Sequence, residues 1–164
     1  MKPMRRKDRE ISAEEALAVV DKCVYAVLST VNEDLSPYGT PLSIVRDGGE
    51  VYFHCAREGR KIENLARDSR VCLVCVGDTR EPPDNFTVEY ESAVVFGKAR
   101  EITGDGEKMR VLRLLCERHT PANMAAFETE AARGLAATSV WGVSIDGISG
   151  KRNPGRGAEK PQQA

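Results

Sequence analysis

Short β-like runs joined by turns make up most of the chain, and this pattern constrains its fold more than any other feature. β-Branched and apolar residues cluster in about six such runs, and Asp47-Gly48-Gly49 between two of them is a strong hairpin signal. Strands joined by hairpins favour an antiparallel sheet over the parallel sheet of a regular βαβ alternation. The sequence therefore predicts a mainly β fold with flanking helices, in which a six-stranded antiparallel sheet closes into a small barrel.

The expected strands cover residues 23–31, 38–45, 51–55, 70–76, 86–102 and 140–145. Helices are expected at 12–21, 60–67, 107–118 and 122–137, and Ser12 with Glu15 forms a capping-box pattern at the first of them. Pro41 interrupts the second strand. Because proline cannot donate a ladder hydrogen bond, its position is expected at a sheet edge, at a bulge or where another group takes over. We expect one domain over residues 1–152 and a disordered tail over 153–164.

Charge and hydropathy exclude several function classes. The 164 residues carry a net charge of −1, which gives no electrostatic case for binding nucleic acid or an anionic membrane. No apolar run approaches the roughly 20 residues needed to span a bilayer, and the charged first ten residues do not form a signal-peptide pattern. These features predict a cytoplasmic protein.

The cysteines indicate neither a disulfide framework nor a metal site. There are five of them at irregular spacing. Cys72 and Cys75 spell C-x-x-C, but they lie in a predicted strand, where residues three apart point to opposite faces. We therefore interpret them as small apolar residues rather than as metal ligands or a redox dithiol.

The segment from Val51 to Arg67 predicts a strand, a turn at Glu58-Gly59 and a short helix that begins with Arg60 and Lys61. Two cations in a first helical turn oppose the helix dipole, which favours negative charge there. A phosphate bound at the helix start would explain them, because free N–H groups and cationic side chains together form an anion site. The alternative is that both side chains are solvated surface charges.

Strand parity separates two faces of this segment. Val51, Phe53 and Cys55 share one face, which is expected to be the core face, whereas Tyr52 and His54 share the other. In a monomer the second face would be wet and His54 an ordinary surface residue. In a dimer it would face a cofactor groove, where the imidazole could donate a hydrogen bond or a proton.

Five motifs in the same order carry a family resemblance. They are Met4–Ile11, Thr40-Pro41-Leu42-Ser43, Tyr52–Lys61, Tyr90-x-Ser92 with Gly97-Lys98-Ala99, and Ile148–Pro154. With them the chain resembles the FMN-binding split β-barrel proteins related to pyridoxamine 5′-phosphate oxidase, and it is most similar to the nitroimidazole-resistance (Nim-type) flavoproteins. The resemblance covers most of residues 4–153.

This resemblance implies a homodimer with one FMN per subunit in a groove at the interface. Arg60 and Lys61 would hold the FMN phosphate, and backbone groups of residues 40–43 would bond the polar edge of the flavin ring. His54 and Cys55 would lie under the cofactor or at its phosphate side. Ser92, from this subunit or its partner, would approach the cofactor, and Lys151 and Arg152 are further candidates for the same groove.

The implied function is that of an FMN-dependent oxidoreductase that reduces small acceptors such as nitroaromatics. Without a dinucleotide fingerprint, NAD(P)H would act only as a transient reductant. Residues 141–152 lack a clear match to the cationic arrangement with which the oxidase grips pyridoxal phosphate, so vitamin B6 oxidation is not expected. The alternatives are a module that binds flavin, deazaflavin or haem without turnover, with His54 as a haem ligand, and a structural dimer without cofactor.

Overall fold

The computed structural model describes residues 3–83 and 86–155, and in this part of the chain nine strands form one sheet. The strands are β1 (Glu10–Ile11), β2 (Ala26–Val31), β3 (Pro37–Leu42), β4 (Val45–Asp47), β5 (Glu50–Ala56), β6 (Arg70–Arg80), β7 (Glu89–Ile102), β8 (Thr138–Ser144) and β9 (Gly147–Asn153). Every pairing among them is antiparallel. The predicted mainly β, antiparallel split-barrel fold is confirmed.

The sheet divides along β7, which is long enough to pair with strands in both halves of the barrel. The strand order is β3-β2-β6-β7-β8-β5-β4. On one side β7 pairs with β6; on the other it pairs first with β9, over residues 90–96, and then with β8, over residues 99–102. Gly97 lies where the partner changes, and a Cβ there would overlap the carbonyl oxygen of Ser144. Gly97 is therefore a position of close packing between β7 and the end of β8.

The four α-helices of the described residues are α1 (Ala13–Lys22), α2 (Arg60–Arg67), α3 (Asp105–His119) and α4 (Phe127–Gly134), and short 3-10 helices cover Lys7–Arg9, Pro121–Ala126 and Leu135–Ala137. The predicted capping box opens α1, since Ser12 accepts from the Glu15 N–H and Glu15 accepts from the Ser12 N–H. The Ala-rich stretch expected to be one helix is instead broken into three pieces, in keeping with the weak helix propensity of Gly134.

Two apolar clusters hold the fold together. The larger lies between the inner faces of the sheet, α1 and α2, and it contains Phe53 and Trp141. The smaller lies under α3, where Tyr52 packs with Val111 and Leu115. The predicted core face of β5 is thus confirmed, and Trp141 is a core residue whose indole N–H donates to the hydroxyl of Ser139 (2.9 Å).

Apolar side chains also cover the opposite, outward face of β2, β6 and β7. Val27, Val74 and Val94 lie in one row across the three strands, and Cys72 and Phe96 lie in the next. Phe96 is 43% exposed and Val27 is 40% exposed. We call this surface, together with Val31, Val76 and Pro41, the outer apolar face. Cys72 belongs to it, whereas Cys75 is buried in the core, so the two cysteines point to opposite faces as predicted.

Three strands were not predicted, and each has a local reason. β1 has two residues and β4 has three, too few to show a period. β9 is rich in Gly, Ser, Lys and Arg and has no apolar alternation. The expected strand 38–45 is divided after Leu42, where β3 ends. In the described sheet β3 pairs only with β2, so Pro41 lies at a sheet edge, one of the three positions expected for it. Of the expected tail, residues 156–164 lie outside the described residues. Within the described ranges, no helix is both long and apolar enough to cross a membrane.

Candidate functional site

The start of α2 is open and has unused hydrogen-bond donors. Gly59 precedes the helix with a φ of 114°, a conformation that residues with a side chain rarely adopt. Its carbonyl oxygen accepts from the N–H groups of Ile62 (2.9 Å) and Glu63 (3.1 Å). The N–H groups of Arg60 and Lys61 have no partner within the helix, as expected of a first turn. A Cβ on Gly59 would meet no protein atom within 4 Å, so the turn borders free space.

The two cationic side chains diverge from this point. The Arg60 guanidinium lies 5.4 Å from the centre of the Tyr38 ring, on β3. The Lys61 ammonium lies 5.5 Å from the centre of the Phe53 ring, on β5. The ion pairs found among the described residues include neither side chain. Both cations therefore remain available to an anion.

β3 carries the residues whose backbone was expected to contact the flavin ring, residues 40–43. Tyr38 of the same strand lies against Arg60. Tyr38 and Thr40 share a face because they are two residues apart. The hydroxyl oxygen of Thr40 is buried and has no hydrogen-bond partner in the described part of the chain. A buried polar atom without a partner is costly unless a ligand or water satisfies it. Leu42 is buried, and Ser43 follows at the end of the strand.

His54 and Cys55 lie next to Lys61 on the other flank of the helix start. Cys55 packs against the larger core, and burial raises the pKa of its thiol, an effect that the nearby Lys61 opposes. His54 points to the face under α3. Burial of the imidazole lowers the pKa of His54, and the nearby Lys61 and His119 add to this effect. These surroundings favour the neutral imidazole over the charged imidazolium.

The surroundings of His54 include helices that the strand pattern did not indicate. The second face of β5 is not left wet, because α3 covers Tyr52. His54 itself remains solvent-accessible, in a cleft of about 550 Å³ between β5 and residues 112–138. We call this the helical cleft. The Ala-rich segment therefore forms one wall of a site, although its sequence shows no motif that would have indicated this.

Ser92 and Lys151 form a second group on the outward side of β7 and β9. They are directly paired across the two strands, and both border a cleft of about 440 Å³ with Pro3 and Met4. Arg152 points to the opposite side of β9. Its guanidinium pairs with Glu15 (2.6 Å) and with the nearly buried Glu91 (3.4 Å). These carboxylates already neutralise Arg152, which makes it the weakest candidate for a cofactor contact.

One subunit does not bring the two groups together. Lys151 on β9 and Thr40 on β3 are separated by β7, β6 and β2. At the usual strand spacing this distance is roughly 19 Å. The outer apolar face lies between them. The two groups therefore lie at separate places on one subunit.

Comparisons with known proteins agree with this fold. A family model described as pyridoxamine 5′-phosphate oxidase matches residues 12–152. Similar solved structures include a candidate 5-nitroimidazole antibiotic resistance protein from Bacteroides thetaiotaomicron, with 21% identity, a TM-score of 0.72 and coverage of 87% of this chain and 86% of that one. No functionally curated protein matches the chain in sequence.

Two further similar structures contain redox cofactors according to their names. An FAD and haem binding protein from Mycobacterium smegmatis is 23% identical with a TM-score of 0.77, over 93% of this chain and 77% of that one. The flavocytochrome Anf3 from Azotobacter vinelandii is 22% identical with a TM-score of 0.73, over 97% of this chain and 76% of that one. At these identities the likeness shows the fold.

Proposed function

Since the chain belongs to the pyridoxamine 5′-phosphate oxidase family, we propose that it is a homodimeric, FMN-dependent oxidoreductase that reduces small uncharged acceptors such as nitroaromatics. The observation that carries the proposal is the open start of α2. Nearby on β3 lies the unsatisfied hydroxyl of Thr40, which would contact the flavin ring. The helix start itself combines unused N–H groups with two cations that have no carboxylate partner among the described residues. This donor set fits a phosphate dianion.

The residues fit FMN better than a dinucleotide. Beyond Arg60 lies a cleft of about 570 Å³ lined by the carboxylates of Glu33, Asp34 and Glu63. Its second arginine, Arg67, already donates to the Val31 carbonyl (2.8 Å) and to Asn64 (3.0 Å). A second phosphate group at this place would meet three carboxylates. The charge pattern therefore supports one terminal phosphate, held by Arg60 and Lys61.

Dimerisation through the outer apolar face is part of the proposal. Exposed apolar patches of this kind mark interaction surfaces, and a two-fold axis brings the same face of a second copy against it. In such a dimer, β9 of the partner subunit would lie near β3 of this subunit. Ser92 and Lys151 would then complete the groove of the other subunit, which the separation within one subunit prevents.

In this arrangement the flavin would supply the redox chemistry when bound. The protein would bind and orient the flavin and the acceptor and would provide protons. Thr40 and the backbone of residues 41–43 would fix the ring edge, and Lys61 would hold the phosphate. The neutral imidazole of His54 could accept a hydrogen bond from the acceptor or donate its remaining N–H to it. Reduction of a nitro group to an amine also consumes protons, and His54 is placed to relay them.

The test is an anaerobic reoxidation experiment. The FMN-loaded protein is reduced with dithionite, excess reductant is removed, and 2-methyl-5-nitroimidazole is added while the blue absorbance band of oxidised flavin is followed. The proposal predicts that the band returns and that one nitro group is reduced by two electrons, to the nitroso level, for each flavin reoxidised, since full reduction to the amine takes six electrons. If FMN binds but stays reduced until oxygen is admitted, the module without turnover, the alternative function from the sequence, is the better description.

A further inference from the structure

The helical cleft has a lining that restricts what it can bind. Its volume of about 550 Å³ lies within the ordinary range of small-molecule sites. The walls come from α3, the following 3-10 helix and α4 on one side and from His54 on the other. Their apolar members include Leu112, Leu115, Cys116, Ala126, Phe127 and Ala131. A mainly apolar ligand fits such walls, and the ring of Phe127 favours an aromatic one.

Most polar groups of the lining are already bonded within the protein. The Thr120 hydroxyl donates to the Cys116 carbonyl (3.3 Å), and the Thr138 hydroxyl donates to the Gly134 carbonyl (2.9 Å). Glu130 accepts from Arg133 at 3.0 and 3.2 Å. Among the described residues, the imidazole of His54 and the side-chain amide of Asn123 have no hydrogen-bond partner, and these are the polar groups left to orient a ligand.

The charges around the cleft disfavour an anion. The lining includes the carboxylate of Glu130 and no lysine or arginine. Two arginines on the same helices are committed, because Arg133 pairs with Glu130, and Arg113 pairs with Glu128 while its guanidinium lies 4.4 Å from the centre of the Phe127 ring. A phosphate or carboxylate in the cleft would lose its hydration without gaining a cationic partner from the lining, which is costly.

We propose that the helical cleft is a binding site for an uncharged aromatic molecule that carries a hydrogen-bond donor, and that His54 accepts that hydrogen bond. The binding itself does not depend on a cofactor. Its redox role rests on the proposed function: Lys61, at the start of α2, is near enough to lower the pKa of His54, so a ligand held by His54 would be the acceptor. The same lining excludes acceptors whose recognition depends on a phosphate group.

A matched pair of probes tests the charge preference. Binding of 2-naphthol and of 2-naphthyl phosphate to the full-length protein is measured by titration calorimetry, with and without FMN. We expect 2-naphthol to bind and the phosphate to bind at least tenfold more weakly. Equal or tighter binding of 2-naphthyl phosphate would overturn the proposal. Binding of haem with a Soret shift that His54→Ala abolishes would also overturn it, because haem carries two propionates and is therefore an anion.

Variants test the location. Ala131→Phe fills the cleft and should abolish 2-naphthol binding, whereas the control Ala132→Phe, on the exposed side of α4, should leave it unchanged. His54→Ala should weaken binding about tenfold, the scale of one hydrogen bond. If Ala131→Phe melts at lower temperature than the parent, Ala126→Leu at the cleft rim replaces it. Unchanged affinity in the folded cleft variants refutes the proposal.

The two proposals fail separately. A protein that binds FMN but not 2-naphthol would refute the cleft and leave the flavin site standing. A protein that binds 2-naphthol at the cleft but never binds FMN would refute the flavin site and leave the cleft standing.

Discussion

Replacement of Lys61 by alanine should separate cofactor binding from stability. In the proposed site the ammonium group makes a charged hydrogen bond to the phosphate, which contributes about 1.5–3 kcal/mol. Its loss should weaken FMN binding roughly 10- to 150-fold. The fold itself loses little, because Lys61 has no carboxylate partner in the described structure and its contact with Phe53, 5.5 Å to the ring centre, is worth about 0.5–1 kcal/mol.

The assay is quenching of FMN fluorescence by the protein, with thermal unfolding measured on the same samples. Lys61→Arg keeps the charge and should recover most of the affinity. Lys98→Ala is the matched control, because Lys98 pairs with Arg70 just beyond the C-terminal end of α2, where the helix dipole disfavours a phosphate. If Lys61→Ala and Lys98→Ala bind FMN equally well, Lys61 is a solvated surface charge and the phosphate site is refuted.

Three further predictions concern assembly and stability. Val74→Asp, in the middle of the outer apolar face, should convert the dimer to a monomer in light scattering after gel filtration, and an unchanged mass would contradict the proposed interface. Gly97→Ala should lower the free energy of unfolding by about 1–3 kcal/mol in urea, because its Cβ would overlap the Ser144 carbonyl; full stability would show that this contact relaxes freely. The Arg100 guanidinium beside Glu50 lowers the pKa of that carboxyl to about 2, so the carboxylate stabilises the fold above its unfolded-state pKa and this contribution is lost as the pH falls toward 2. Glu50→Gln should therefore reduce the loss of stability between pH 5 and pH 2 by about 1 kcal/mol, after screening by solvent, and an acid unfolding curve identical to that of the parent would refute this.

Much of the fold followed from local patterns in the sequence. The limits of α2 and the core face of β5 were correct because each depends on a short-range rule, helical spacing or strand parity. The missing N–H of proline limited Pro41 to three kinds of position, and the sheet edge it occupies is one of them. β9 was missed because its pairing with β7, rather than its own composition, makes it a strand.

The candidate site was predictable only in part, for a related reason. The divergence of Arg60 and Lys61 depends on where Tyr38 and Phe53 lie in space, and the commitment of Arg152 depends on Glu15, at the other end of the chain. The helical cleft depends on how the pieces of residues 121–137 pack against β5. None of these contacts is local in sequence. Periodicity and motifs therefore indicated the phosphate site but not the second cavity beside it.

The most direct test of the central claim is the absorption spectrum and mass of the ligand that accompanies the protein through gentle purification. If the open start of α2 holds a flavin phosphate, the protein is yellow, heat releases a molecule with the mass of FMN, and Lys61→Ala carries much less of it. A colourless protein that shows no flavin absorbance even after incubation with FMN would contradict the account.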